Sequence, residues 1–503
     1  MSGLVHGAVL LGVDAVRVAV EVDLLRRLPS VAIVGLPSPS VREAAERVRS
    51  AILASGLEFP RARIVVSLAP ADLRKDGTGF DLPMAVAILA ASGQVDAARA
   101  ARWLYAGELS LSGELRRVRG ALSIAHAAFE GGFAGVVVPA GDAPEAALVP
   151  ALEVRAAASL AEVAAFLNGE AELPLGAPPA PPSASGGLDL SDVQGQVAAR
   201  AALEIAAAGG HNLLFEGPPG CGKTMLAARL PGILPPLSEQ EALECTRVHS
   251  AAGLRGGGGI VAVRPFRAPH HTASAAALLG GADLRPGEAS LAHRGVLFLD
   301  EFPEFRRDVR EALRAPLEDR RIVVAKAGGR VVFPADFALV AAANPCPCGY
   351  ANHPLRACVC SPSARQRYRA HLSGPIVDRI DLRVELRPVE ASTLFAARPS
   401  ESSAAVRERV VRARAVQSAR NGPGVTNANV GVEGLMELAN PTGPALALLR
   451  DHVDEHAVSA RVGRRILRVA RTVADLGESA RVEVPHIRAA IDLRFDGEEE
   501  VVP

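Results

Sequence analysis

The run Gly217-Pro218-Pro219-Gly220-Cys221-Gly222-Lys223-Thr224 constrains this 503-residue chain more than any other feature. It fits G-x-x-x-x-G-K-[ST] in full. An apolar stretch, Asn212-Leu213-Leu214-Phe215, leads into it, and a helical stretch from Met225 to Leu230 leads out. A strand, a glycine loop and a helix in that order make a phosphate cradle. The glycines let the backbone curl until successive N–H groups face one anion, and the helix adds its positive end. Lys223 supplies a point charge for the β- and γ-phosphates of a nucleotide such as ATP, and Thr224 a hydroxyl for Mg²⁺.

A second apolar run, Val296-Leu297-Phe298-Leu299, ends in Asp300-Glu301. It reads as a buried strand delivering two carboxylates to the edge of a sheet where ligands of such folds bind. Asp300 is expected in the Mg²⁺ shell, and Glu301 is expected to orient the attacking water. Taken alone the pair would read as solvated acids; its place downstream of the glycine loop argues for the catalytic role. Leu339 to Ala343 is a further strand ending in Asn344, whose amide suits a water or a γ-phosphate, although an Asn before Pro345 also reads as a turn residue. Strands and helices alternate to about residue 388, the pattern of a parallel sheet with crossover helices.

Formal net charge is zero and aromatic residues are 4% of the chain, so neither overall charge nor a stacking platform announces a nucleic acid. Any DNA contact must come from a local patch. The N-terminus lacks the pattern of a secretion signal, and no apolar run is long enough to cross a bilayer. These observations predict a cytoplasmic protein with reduced cysteines and no membrane partner. Residues 171–187, rich in Pro, Ala, Gly and Ser, read as a spacer. Before it the pattern is mixed α/β: a capping box at Ser40-Val41-Arg42-Glu43 opening a helix through Ile52, and strands at 63–68 and 135–138. The last hundred or so residues read as helical. Ile466, Val469, Ala470 and Val473 fall at helical spacing with arginines opposite, which predicts a core stripe and a solvated face.

Ordered together, these pieces resemble the magnesium-chelatase and MCM-helicase branch of AAA+ ATPases, and within it the ComM (YifB) subfamily. The likeness rests on Pro265-Phe266-Arg267-Ala268-Pro269-His270-His271-Thr272, Arg285-Pro286-Gly287-Glu288, Leu291-Ala292-His293 and Asn344-Pro345-Cys346-Pro347-Cys348-Gly349. It covers essentially the whole chain. It implies four parts: a Lon-protease-like α+β domain over 1–168, a linker over 169–187, an AAA+ P-loop ATPase core over 188–390 with a cysteine-rich insert at 345–361, and a helical lid over 391–503. It also implies a homo-hexameric ring. Asn344 matches the sensor-1 position, Arg379 the arginine finger that reaches a neighbour's ATP, and Arg461 the sensor-2 position. Arg379 could equally pair with Asp378 or Asp381, Arg461 could be a surface charge, and Arg306 and Arg307 compete as trans donors.

Residues 321–333 read as a β-hairpin with a Gly-Gly turn and with Lys326 and Arg330 near its tip. This resembles the hairpin of MCM helicases whose tip lysine lines the central pore, and so implies contact with the DNA backbone without sequence readout. A solvated tip is the plain alternative. Arg407, Arg409, Arg412, Arg414 and Arg420 read as an exposed helix face.

Cys346-x-Cys348 and Cys358-x-Cys360 suggest one tetrahedral four-thiolate site with structural Zn²⁺ as the metal, since soft sulfur donors favour it. The one-residue spacing within each pair is tighter than usual. His353 reads as a loop residue, and Cys221 and Cys245 as inert thiols.

A working Lon-type peptidase needs a Ser–Lys dyad. Here Thr78-Gly79-Phe80-Asp81 stands where the Ser is expected, and Gly120-Ala121-Leu122-Ser123 offers no Lys, so no peptidase is expected. The resemblance then implies an ATP-driven DNA motor, a branch-migration helicase working with recombination proteins or in the uptake of DNA. A chelatase motor subunit, driving Mg²⁺ insertion through partner proteins, is the alternative. An ATP-dependent protease ranks third.

Overall fold

The computed structural model describes residues 2–179, 187–254, 259–281, 284–326, 329–351, 353–372, 376–390, 392, 400–456 and 458–494. Two large sheets divide them. The first uses β1 (Ser2–Leu11), β2 (Asp14–Leu25), β3 (Ser30–Val34), β4 (Arg63–Ala69), β5 (Trp103–Tyr105), β8 (Gly135–Pro139) and β9 (Glu153–Ala157), in the order β3-β4-β2-β1-β5-β8-β9. A small hairpin, β6 (Glu108–Leu109) with β7 (Leu115–Arg116), lies apart from it. The β1–β2 and β2–β4 pairs are antiparallel, while the remaining neighbours run parallel. Mixed pairing of this kind lets helices lie against one face, and helix Asp81–Ala91, apolar at every position after Asp81, is buried throughout.

The helix predicted from Ser40 begins earlier, at Pro39, and runs to Ala54. Ser38, not Ser40, is the cap: its hydroxyl accepts from the Val41 N–H, and Pro39 fills the first helical turn, where a missing N–H costs nothing. The tract after residue 170 is not all spacer. Leu173 is 4% exposed in the first core, the Ala156 N–H donates to Pro174, and the Gly176 N–H donates to Val154. Residues 180–186 of that tract lie outside the described residues.

The second sheet is fully parallel, in the order β11-β12-β15-β10-β16, from β10 (Leu213–Glu216), β11 (Phe266–Arg267), β12 (Val296–Leu299), β15 (Ala338–Ala343) and β16 (Leu382–Glu385). Its central strands β12 and β15, and β10 through Phe215, are apolar on both faces, as strands covered on both sides require, while the edge strands β11 and β16 carry Arg267, Arg383 and Glu385. Phe215, Phe298, Val340 and Ala342 face one cluster, shared with helix Val197–Gly209 and the C-terminal helices. Leu214, Leu297, Leu299 and Ala341 face another, shared with helices Glu239–Ala252 and Arg307–Ala312. This parallel-sheet core with a helical C-terminal region has the arrangement expected from the sequence.

The C-terminal helices correct the amphipathic reading. Ile466, Val469 and Ala470 are core as expected, and Arg461 and Arg464 are exposed, but two other arginines of the helix are not solvated. Arg465 and Arg471 are 5% and 3% exposed, and pair with Asp381 and Asp475. Burial works against the Asp381 carboxylate, yet His211, Arg465 and Arg468 outweigh it and hold its pKa below the ordinary value. The basic helix Ser403–Asn421 is exposed at Arg407 and Arg412, as expected, but its other three arginines are paired. Arg409 grips Glu204 and Glu401, Arg414 donates to the Ala207 carbonyl, and Arg420 pairs with Asp475. Periodicity alone cannot separate a solvated cationic face from one neutralised by acids on another element.

The hairpin forms as β13 (Arg321–Lys326) against β14 (Gly329–Pro334). Its base carries Ile322, Val331 and Phe333 into the second cluster of the parallel sheet, and the N-terminal half meets it there. Val13, in the turn between β1 and β2, is 8% exposed and belongs to that same cluster. At Gly12, φ is +75° and an added Cβ would sit 2.4 Å from Val331 Cγ1, so only glycine fits. Nearby, Arg247 pairs with Asp14, and the Ser250 hydroxyl donates to the buried Glu145 carboxylate.

Candidate functional site

The strand order sets three loop entrances side by side. β15 lies between β10 and β12, with Glu216 opposite Ala343 and Leu299 opposite Ala341. The glycine loop leaves β10, Asp300-Glu301 leave β12, and Asn344 leaves β15, all at the same edge. Lys223 and Thr224 open helix Lys223–Ala227 directly after the loop. Gly220 and Gly222 have φ of +81° and +95°, left-handed backbone that favours glycine in this loop.

Lys223 is 9% exposed, and its ammonium donates to the carbonyls of Gly217 (2.6 Å) and Pro218 (3.0 Å) and to Asn344 Oδ1 (3.0 Å). Burial lowers its pKa from the ordinary value, against the pull of Cys221, Asp300 and Glu301. The Thr224 hydroxyl donates to Asp300 Oδ2 at 2.8 Å. Lysine with amide and hydroxyl with carboxylate therefore form two pairs at one edge of the sheet, and the donor set suits a triphosphate with its divalent cation. Glu301 has φ +51°, a left-handed backbone that costs a non-glycine residue about 1 kcal/mol, and such strain gathers at functional sites. Its carboxylate lies 3.0 Å from His271 Nδ1.

Several partners were not legible as such in the sequence. His271 packs on His270 at 4.1 Å between ring centroids and meets Phe305 edge-on. Arg267 grips Glu288 with two bonds of 2.6 and 2.8 Å. His293 and Arg294 both hold Glu244; the His293 hydrogen bond, with Arg294 beside it, draws that carboxyl down to about 2. The quoted motif pieces thus tie β11 to helix Glu288–Leu291, and the segment before β12 to helix Glu239–Ala252, through charge-assisted bonds. Their signal was a cluster of His, Arg and Glu ahead of the acidic strand, but sequence names no pairs.

Arg379 and Arg461 are not at the glycine loop. Arg379 is 5% exposed and bonds Glu318, and Arg461 reaches the same Glu318 at 3.4 Å. Arg379 does not take Asp381, which belongs to His211 and Arg465. Residues 373–375, just before this segment, lie outside the described residues. Arg306 and Arg307 are exposed, and among the described residues they pair with Asp308 and Glu311. Arg330 is exposed near the hairpin tip, whereas the Lys326 side chain lies outside the described residues.

The four cysteines do converge. The Sγ atoms of Cys346, Cys348, Cys358 and Cys360 all lie within 4.8 Å of one another, with three separations of 3.3, 3.6 and 3.6 Å. Four sulfurs at about 2.3 Å from one zinc would stand about 3.8 Å apart, so the set fits a tetrahedral ion. Backbone N–H groups of Tyr350 and Val359 favour the Cys348 thiolate and lower its pKa to about 6. His353 is outside this group; its Nδ1 accepts from the N–H groups of Leu355 and Arg356. Cys221 and Cys245 are buried, and burial raises both thiols, Cys245 to about 12.

In the first half, the Thr78 hydroxyl donates to Glu108, and helix Ala121–Glu130 starts at the segment that lacks a lysine. Lys75, missed by sequence reasoning, is wholly buried with its ammonium on the Pro70 carbonyl, and burial lowers its pKa. Among the described residues no helix is long and apolar enough to cross a membrane.

Comparison with known proteins gives the same picture over nearly the whole length. Family models match residues 189–394 (magnesium chelatase, subunit ChlI), 20–142 (subunit ChlI of Mg-chelatase) and 400–494 (the ChlI C-terminal region). The competence protein ComM of Haemophilus influenzae is 42% identical, over 98% of this chain and 97% of its own. The uncharacterized protein YifB of Escherichia coli is 42% identical, over 98% and 96%. An uncharacterized protein of Mycobacterium tuberculosis is 43% identical, over 97% of each chain. With identities of this size spanning both sheets and the helical region, the chain belongs to the ComM/YifB family of magnesium-chelatase-like AAA+ proteins.

Proposed function

We propose that the chain is an ATP-hydrolysing, ring-forming motor that moves branched DNA, acting as a branch-migration helicase in recombination or natural transformation. The observation that carries the reading is the contact set Lys223–Asn344 and Thr224–Asp300 at one edge of the parallel sheet. Gly217 to Thr224 would hold the phosphates, with Lys223 leaving its carbonyl partners for the β- and γ-oxygens. Thr224 and Asp300 would hold Mg²⁺, which supplies charge neutralisation on the transferred phosphoryl group. Glu301 would orient the water once it leaves His271, and Asn344 would hold the γ-phosphate or that water. Arg379 and Arg461, presented together on Glu318, would serve a neighbour's nucleotide. Hydrolysis then depends on assembly of a homo-hexamer.

The competence name of a relative that matches nearly end to end supports work on DNA rather than metal insertion. The hairpin supports a contact to the phosphate backbone through Lys326 and Arg330. The four thiolates support a structural Zn²⁺. The N-terminal domain is read as an assembly or guiding element, because Thr78 has a carboxylate rather than a lysine as partner.

The test is ATP turnover, with and without branched DNA, for the parent beside Lys223→Ala, Lys326→Ala and Arg379→Ala. Turnover lost in Lys223→Ala and DNA stimulation lost in Lys326→Ala are expected. Arg379→Ala and Lys223→Ala subunits, each assembling normally, are expected to recover activity when mixed. Purified protein that neither binds nor turns over ATP with Mg²⁺ present would sink the motor reading. ATP turnover indifferent to DNA would favour the chelatase-type motor.

A further inference from the structure

The cysteine insert is built onto the nucleotide site rather than beside it. Its first cysteine stands two residues after Asn344, whose Oδ1 accepts from Lys223. Its second pair leads directly into helix Pro362–Ala370, capped by Ser361. That helix carries the buried Tyr368 back to the neighbourhood of the Asn344 backbone. The insert thus leaves from Asn344 and returns beside it.

A third tie is steric. Gly349 turns the chain between the cysteine pairs with φ +82°, its N–H donating to the Cys346 carbonyl at 2.9 Å. A Cβ there would lie 2.6 Å from Pro219 Cδ and 2.8 Å from Pro219 Cγ. The crown of the cysteine turn therefore rests directly on the middle of the glycine loop. Inside the insert, apolar burial is slight: Cys346 and Ala351 are buried, while Leu355 and Val359 are 90% and 85% exposed. N–H groups of Ala351, Cys348 and Cys360 point at the sulfurs of Cys346, Cys360 and Cys358, at 3.2, 3.4 and 3.4 Å. The sulfurs organise this turn, so what binds them sets its position.

We propose that a soft divalent cation, Zn²⁺, on Cys346, Cys348, Cys358 and Cys360 braces the glycine loop through Gly349 and Pro219, and so couples metal occupancy to nucleotide affinity. This rests on the zinc reading above and adds the linkage. A coupling between two binding events is reciprocal: whatever factor the metal contributes to nucleotide affinity, the nucleotide contributes to metal affinity. Metal holds the turn against Pro219 in the shape that receives phosphate; without it the turn relaxes, and the loop and Asn344 lose their backing.

The experiment uses the full chain. Bound zinc per chain is measured with a colorimetric chelator, and affinity for a non-hydrolysable fluorescent ATP analogue is measured by anisotropy at fixed Mg²⁺. The metal-loaded protein, the protein stripped with a zinc-selective chelator and the reloaded protein are compared. Stripping is expected to weaken the analogue at least tenfold and reloading to restore it, with saturating analogue raising zinc affinity by the same factor. Gly349→Ala keeps all four sulfurs and is expected to retain one zinc per chain while binding the analogue at least tenfold more weakly. Absence of zinc at any stoichiometry removes the metal reading and the linkage with it. One zinc per chain, with analogue affinity unchanged within twofold on stripping and in Gly349→Ala, overturns the linkage and leaves the metal reading standing.

Discussion

Two sets of cations on the ATPase half are held in different ways. Lys223 hangs on neutral oxygens, the Gly217 and Pro218 carbonyls and the Asn344 amide. Arg379 and Arg461 converge on a carboxylate, Glu318. A carbonyl yields easily to a phosphate, because the incoming oxygen brings full charge. A carboxylate yields only to a competitor of equal charge and better geometry. The difference teaches that the glycine loop can fill by itself, whereas the two arginines respond only to an anionic centre brought up against them.

The sharpest break of this contrast is Arg379→Ala. If the arginine acts only in the transition state, kcat falls by about 10³-fold while nucleotide affinity stays within about threefold. Equal losses in both, seen by turnover and equilibrium titration, would erase the distinction. Lys223→Ala should do the reverse at the binding step and weaken ATP by about 10²-fold, the worth of a charge-assisted contact. Glu244 provides a carboxylate whose cations no ligand displaces. Its folded pKa of about 2 lies below the ordinary 4.5, so its stabilisation is complete above pH 4.5 and lost as pH falls towards 2. Glu244→Gln should therefore cost about 2 kcal/mol at neutral pH, after allowance for partial exposure, and show a flatter fall in urea midpoint across that acid window. Glu318→Gln removes the charge that faces a nearly buried Arg379, but the acid is half exposed, so a loss of about 1 kcal/mol in chemical unfolding is expected. Smallest is Arg330→Ala, which should reduce the slope of log affinity against log salt on DNA by about 1 and leave ATP binding unchanged.

The parallel core was legible because its strands are short, wholly apolar and end in residues whose chemistry is specific: a glycine loop, two acids, an amide. Adjacent strand ends converge without further information, so Lys223 meeting Asn344 follows from topology. The cysteine pairs were legible because sulfur spacing carries a geometric demand. What escaped were pairings made across elements. Arg465 and Arg471 of helix Ala460–Leu476 read as solvent-facing until Asp381 and Asp475 were placed opposite them. Glu318 carried no motif, yet it gathers two of the arginines named from the resemblance. The box pattern points to Ser40, but Ser38 is the cap because Pro39 already occupies the first helical position.

The docking of Gly12 and Val13 against Val331 and Phe333 bears on how the protein can be dissected. Cutting the chain near residue 187 would strip that cover and leave a greasy scar at the root of the β-ribbon. A truncated ATPase half should therefore clump or bind apolar dyes, and its idleness would say little about catalysis. Splitting the polypeptide while keeping both pieces together is the gentler surgery.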